Sequence, residues 1–244
     1  MKKIQTNDAS PRRKFIQTIA AGTAALGMAN LVTAFQQVQA APLNNFPDPG
    51  PDEWFNKIKG KHKIIYDVPE PNDMMPFAWS RVFLLTNAAT GTPEKECNVV
   101  MVLRHSGIPY AMDDSLWAKY NFGEMFKIDD PLTKKPATRN PFWRPKPGDF
   151  KVPGIGNVAI GINELQDSGV MFCVCNMALT VYSAIAAGND KLNMTAADVK
   201  AEWMKGILPG VHVVPSGVWV CRSALLPLAK QGLLFRTVWV RAPQ

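Results

Sequence analysis

The seven residues Asn98-Val99-Val100-Met101-Val102-Leu103-Arg104 constrain the fold more than any other stretch of the chain. Their length and valine content are those of a strand. A strand with no alternating polar side has no face for water, so it belongs inside a sheet covered on both faces. Val170-Met171-Phe172-Cys173-Val174-Cys175 has the same character, and Val211-His212-Val213-Val214 is a shorter run of the kind. Lys63-Ile64-Ile65-Tyr66-Asp67-Val68 opens the series, ended by Pro69, Pro71 and Asn72, and residues 233–240 close it.

Helical patterns separate these runs. Asp73 is placed to cap a helix over 74–89 with Met74, Ala78, Val82 and Leu85 on its inner face. Further helices are expected over 109–120, over 156–168, from an Asn176 cap to Ala187, from about Asn193 to Lys205, and, after the turn Pro215-Ser216-Gly217, to Gln231. Five strands alternating with helices imply a three-layer α/β/α sandwich around a mostly parallel five-stranded sheet, one domain over 61–244.

The first 40 residues follow a different logic. Ser10-Pro11-Arg12-Arg13-Lys14-Phe15-Ile16 resembles a twin-arginine signature, residues 18–35 are modestly apolar, and Val38-Gln39-Ala40 offers small residues before Ala41. A basic region, an apolar region and a small-residue cleavage site are the parts of a removable signal peptide. The apolar region is short for a membrane span. The expectation is export of folded protein through the twin-arginine machinery to the periplasm, with no membrane span in the mature protein. Residues 1–40 carry five of the 27 basic and one of the 20 acidic residues, so the remainder has 22 against 19, a net +3. With no Lys/Arg-dense run after Ala41, nucleic-acid binding is not expected.

Residues 41–60 are rich in Pro, Asn and Asp and read as a linker or arm. Residues 121–155 hold six prolines and five aromatics and are too long for an ordinary connection, so they read as a functional loop, a lid or an assembly segment.

Ligands of parallel α/β sheets bind at the carboxyl ends of the strands. That rule selects His105 after the second strand, Cys175 and Asn176 after the third, and Ser216 and Gly217 after the fourth. A thiol at the start of a helix lies where positive partial charge favours a thiolate, and His105 nearby could exchange its proton. Cysteine is also a small hydrophobe common in such cores, and the pattern leaves both roles open for Cys175. Cys173 shares its strand face and reads as core, as do Cys97 and Cys221. No spacing matches a zinc signature, no phosphate-binding glycine loop or GxSxG elbow is present, and neither metal nor cofactor is expected.

The segments NVVMVLRHSG (98–107), ELQDSGVMFCVCNMAL (164–179), LPGVHVVPSGV (208–218) and QGLLF (231–235), in that order, resemble the DsrE/DsrF-like family of sulfur-metabolism proteins. The resemblance implies a five-stranded parallel α/β domain that forms homo-oligomers. It implies that Cys175 stands where sulfur-carrying members receive or pass a persulfide. His105 stands where a histidine often follows the preceding core strand. The chain departs from the family in its signal peptide, its 121–155 insert and its additional Cys173. Two functions are expected: sulfur handling or thiol relay through Cys175 assisted by His105, or non-catalytic binding or assembly through the insert. The second rests on Asn140-Pro141-Phe142-Trp143-Arg144-Pro145, since aromatic residues and Arg anchor interfaces.

Overall fold

The structure, a computed structural model, describes residues 51–188, 192–223 and 237–239. The expected signal peptide and residues 41–50 lie outside these.

A short helix, Pro51–Phe55 (α1), precedes His62–Val68 (β1) and Met75–Ala89 (α2). Cys97–Leu103 (β2) runs into a 3₁₀ helix, His105–Ala111, and then Asp114–Tyr120 (α3) and Phe122–Met125 (α4). Lys151–Val152 (β3) and Gly156–Asn157 (β4) form a small antiparallel hairpin. Ile162–Asp167 (α5), Met171–Cys175 (β5), Asn176–Ala187 (α6), Ala196–Lys205 (α7), Val211–Val214 (β6) and Gly217–Ser223 (α8) follow. Strands β1, β2, β5 and β6 are all parallel, in the order β6-β5-β2-β1. The backbone of Thr237–Trp239 (β7) pairs parallel with β1, from Ile65 against Thr237 to Asp67 against Trp239.

The unbroken apolar run of β2 is explained by its two faces. Val99, Met101 and Leu103 enter one large apolar cluster, while Val100 and Val102 enter a smaller one, and all five are at most 1% exposed. The path β1, β2, β5, β6 always steps in one direction along the sheet. Right-handed crossovers then place every connection on one face. That face carries α2, the 121–155 insert, and α5 to α7, through Phe77, Leu84, Phe142, Leu165, Leu179 and Trp203. The other face is covered by α1, with Trp54, and by α8, with Val220. The described part of the 41–60 segment therefore packs on the sheet: Trp54 and Ile58 are buried.

Several local expectations need correction. Asp73 adopts a left-handed backbone (φ 46°) and forms an ion pair with Lys134, and α2 starts after Met74 without a side-chain cap. The buried face of α2 is Phe77, Ala78, Ser80, Arg81 and Leu84, and Leu85 is exposed. Arg81 turns inward because its Nε donates to the Ala159 carbonyl and its Nη1 reaches Glu94. The helix expected over 109–120 is divided into the 3₁₀ turn and α3, which starts at an Asp113 cap accepting the Leu116 N–H. The helix expected over 156–168 forms only from Ile162, because residues 156–157 belong to the hairpin.

The insert sends its four phenylalanines, Phe122, Phe126, Phe142 and Phe150, into the core. Phe142 stacks on Phe77 with ring centroids 4.1 Å apart, and on Phe150 at 5.2 Å. Asn140, fully buried, donates to the carbonyls of Tyr110 and Met112 and accepts from the Phe142 N–H. A Cβ at Gly123 would run into the backbone of Ala137, so α4 meets the following loop at backbone contact. Each fully buried aromatic of this layer contributes about 1.5–3 kcal/mol relative to exposure.

Candidate functional site

Because β2, β5 and β6 are neighbours and parallel, the turns after them lie side by side at one edge. Leu103 is registered with Val174, and Cys175 with Val214. Arg104 and His105, Cys175 and Asn176, and the turn at Pro215, Ser216 and Gly217 are therefore adjacent along the carboxyl edge of the sheet.

Cys175 ends β5 and is also the N-cap of α6. Its backbone is still extended (φ −77°, ψ 112°), and its Sγ accepts the Ala178 N–H at 3.4 Å. Asn176, expected as the cap, is the first residue of the helix instead. The cap falls where the extended backbone stops, and the strand carries that point one residue further back. The Cys175 side chain is 6% exposed, and positive partial charge at the helix start falls on its sulfur. Cys173 does not share this environment. It is fully buried in the α8-side cluster, whereas Cys175 joins the opposite one as the chain turns into the helix.

His105 is exposed and held at φ 48°, a left-handed conformation uncommon for a bulky residue. Its ring meets the Tyr182 hydroxyl at 3.3–3.4 Å, edge to face, and its Nδ1 lies 3.3 Å from Ser106 Oγ. Ser106 in turn donates to the Pro69 carbonyl, which fastens the turn to the end of β1. Tyr182 belongs to α6 and packs on Phe126 of the insert at 4.9 Å. Burial, and after it the charge of Glu70, pushes its hydroxyl pKa up. His105 thus meets Tyr182 of α6 and Ser106 of its own turn, whereas Cys175 meets Ala178 of α6.

Ser216 Oγ accepts the Trp219 N–H at 3.1 Å and so anchors the first turn of α8. Gly217 is pressed against the sheet: a Cβ there would lie 2.7 Å from Arg104 Cδ and 3.1 Å from Val102 Cγ1.

Two residues at this edge went unrecognised in the sequence. Asp67 is 2% exposed, and Arg104 grips it with Nε and Nη2 at 2.6 and 2.7 Å. This hydrogen bonding raises the Arg104 pKa against the opposing effect of burial. The signal was available: Asp67 is the only acid in an apolar strand, and a buried carboxylate requires a partner. The other thiols here are held protonated. Burial pushes Cys173 well up, and it pushes Cys221 to about 11, with Asp67 adding to the shift and Arg104 opposing it. His212, inside β6, packs against the Trp54 ring at 5.5 Å. Among the described residues no group of His, Cys, Asp and Glu is arranged to hold a metal, and no helix is long and apolar enough to cross a membrane.

Comparison of the chain with protein-family models, with curated proteins and with solved structures finds no match.

Proposed function

We propose that this chain is an exported, DsrE-like sulfur-handling or thiol-relay protein that acts through Cys175 at the start of α6. The observation that carries the reading is the Cys175 sulfur acting as helix cap at the carboxyl edge of a parallel sheet. The Ala178 N–H and the start of the helix both point at that sulfur. The substrate class is a sulfane-sulfur donor. The Cys175 thiolate attacks the donor's terminal sulfur and forms a new S–S bond. The donor's own bond breaks, its remaining part leaves with the bonding pair, and Cys175 keeps the sulfur as a persulfide. His105 takes the thiol proton, and Asn176, Ser216 and Gly217 line the approach.

The same reading carries the finer fold, a three-layer α/β/α sandwich on a five-stranded sheet, with β7 as the fifth strand. It also carries twin-arginine export, a periplasmic location and a homo-oligomeric state. Incubation of the purified chain with thiosulfate or a low-molecular-weight persulfide, followed by intact mass, tests the central step. The expected adduct is one sulfur atom, absent in Cys175→Ser. An unmodified wild type, or an adduct retained by the Ser variant, overturns it.

A second reading, binding or assembly through the insert, is supported by Leu132 and Ile155, each 51% exposed, and by Arg144 over the Trp143 ring at 5.0 Å. Leu132→Asp combined with Ile155→Asp should lower the oligomeric mass measured by light scattering. An unchanged mass removes that reading.

A further inference from the structure

Cys173 and Cys221 belong to the same side of the sheet. Cys173 is a member of the smaller apolar cluster, and Cys221 packs against that cluster from α8. The register of the strands and the pitch of the helix explain why. Cys173 is paired with Val102 across β5 and β2. Val102 Cγ1 lies 3.1 Å from where a Cβ on Gly217 would be. Gly217 and Cys221 are four residues apart on α8, hence on one helix face, and that face is turned to the sheet. Val220, on the adjoining position, is fully buried. The charge of Cys221 also acts on Cys173 more strongly than that of Cys175, although Cys175 is only two residues away in sequence. Both cysteines are free thiols here.

We propose that Cys173 and Cys221 form a disulfide that clamps α8 to β5 when the folded chain meets a small-molecule or protein disulfide. This does not depend on the role of Cys175. The reaction begins at Cys221, which is half-buried, because Cys173 is fully enclosed. The Cys221 thiolate attacks one sulfur of the oxidant disulfide, giving a mixed disulfide and releasing one thiol. Cys173 then attacks the Cys221 sulfur, the mixed bond breaks, and the second thiol leaves. The two cysteine protons end on the two released thiols, the cysteines are oxidised, and the oxidant disulfide is reduced. Groups acting on Cys221 are Asp67, which opposes thiolate formation, and Arg104, which favours it. Since burial holds its pKa near 11, the rate of the first step, attack by Cys221, should rise about tenfold per pH unit through the alkaline range below that value.

The test uses the full chain, native and reduced, exposed to oxidised glutathione over a range of pH, then trapped with an alkylating agent and mapped by peptide mass. The expected product has lost two hydrogen atoms and yields a peptide joining Cys173 to Cys221. The same link should form in Cys175→Ala and be lost in Cys221→Ser. A glutathione adduct that persists on Cys221, a link from either residue to Cys175, or no reaction on Cys221 each overturns the proposal. Since the link forms regardless of Cys175, its failure and the failure of persulfide formation are separate results.

Discussion

At Asp67 a full negative charge lies inside a β-strand, and the Arg104 fork is what balances it. Leaving either charge buried alone costs roughly 3–5 kcal/mol, so Arg104→Met should lower unfolding stability in urea by about that much. A double change, Asp67→Leu with Arg104→Met, should recover much of the loss, because no lone charge then remains buried. Equal or greater loss in the double variant would show that the pair holds the edge by more than mutual compensation. Gly217 is tied to the same pair. Gly217→Ala pushes a methyl into Arg104 Cδ and should cost about 1–3 kcal/mol by overpacking. His212 gives the pH dependence at this scale. Burial, then Lys57, depresses its pKa in the folded state. The unfolded chain therefore binds the proton more readily. The stability from neutral His212 is complete above the unfolded value of about 6.5 and is lost as pH falls through the lower folded value. His212→Gln should flatten that part of a stability-against-pH curve.

At the scale of elements, helix starts are the informative points. Thr195 and Asp198 form a reciprocal capping box on α7, with the Asp198 N–H donating to Thr195 Oγ1 at 3.2 Å and the Thr195 N–H donating back to Asp198 Oδ2. Thr195→Ala should cost about 1 kcal/mol in thermal or chemical unfolding. Cys175 offers a cleaner separation of cap from chemistry. Serine retains an acceptor for the Ala178 N–H, whereas alanine does not. Cys175→Ser should therefore keep stability near wild type, and Cys175→Ala should lose about 0.5–2 kcal/mol. Both should abolish sulfur uptake, so uptake and stability are read independently. The α7 start was expected near Asn193, and the cap lies two residues further on at Thr195, where the Thr-to-Asp spacing of a box went unread. The α6 start was assigned to Asn176 because side-chain preference alone does not say where β5 ends.

At the scale of the whole molecule, the insert changes its meaning. Phe122, Phe126, Phe142 and Phe150 are buried in the same layer as α2 and α7. Removing residues 121–155 would strip cover from Phe77, Tyr110 and Trp117 and should unfold the domain, so surface substitutions are the sound way to probe assembly. Asn140 holds this layer by hydrogen bonds to the Tyr110 and Met112 carbonyls. Asn140→Ala leaves buried carbonyls without donors and should cost on the order of 3 kcal/mol, measured by denaturant unfolding.

The chain on its own determined the parallel strands of the core, because continuous apolar runs closed by Pro, Gly and polar residues have one stable solution. It also determined that the turns after 104, 175 and 214 gather at one edge, through the alternation of strands and helices. Tertiary structure decided the rest. Which side chains of β2 and β5 face which layer follows from register, and that separated Cys173 from Cys175 and brought Cys173 towards α8. The pairing of Asp67 with Arg104 joins residues 37 positions apart, a closeness that exists only once β1 and β2 lie side by side. The burial of the insert's phenylalanines was invisible to composition, since the rings that Phe142 meets, Phe77 and Tyr110, are brought to it only by the fold.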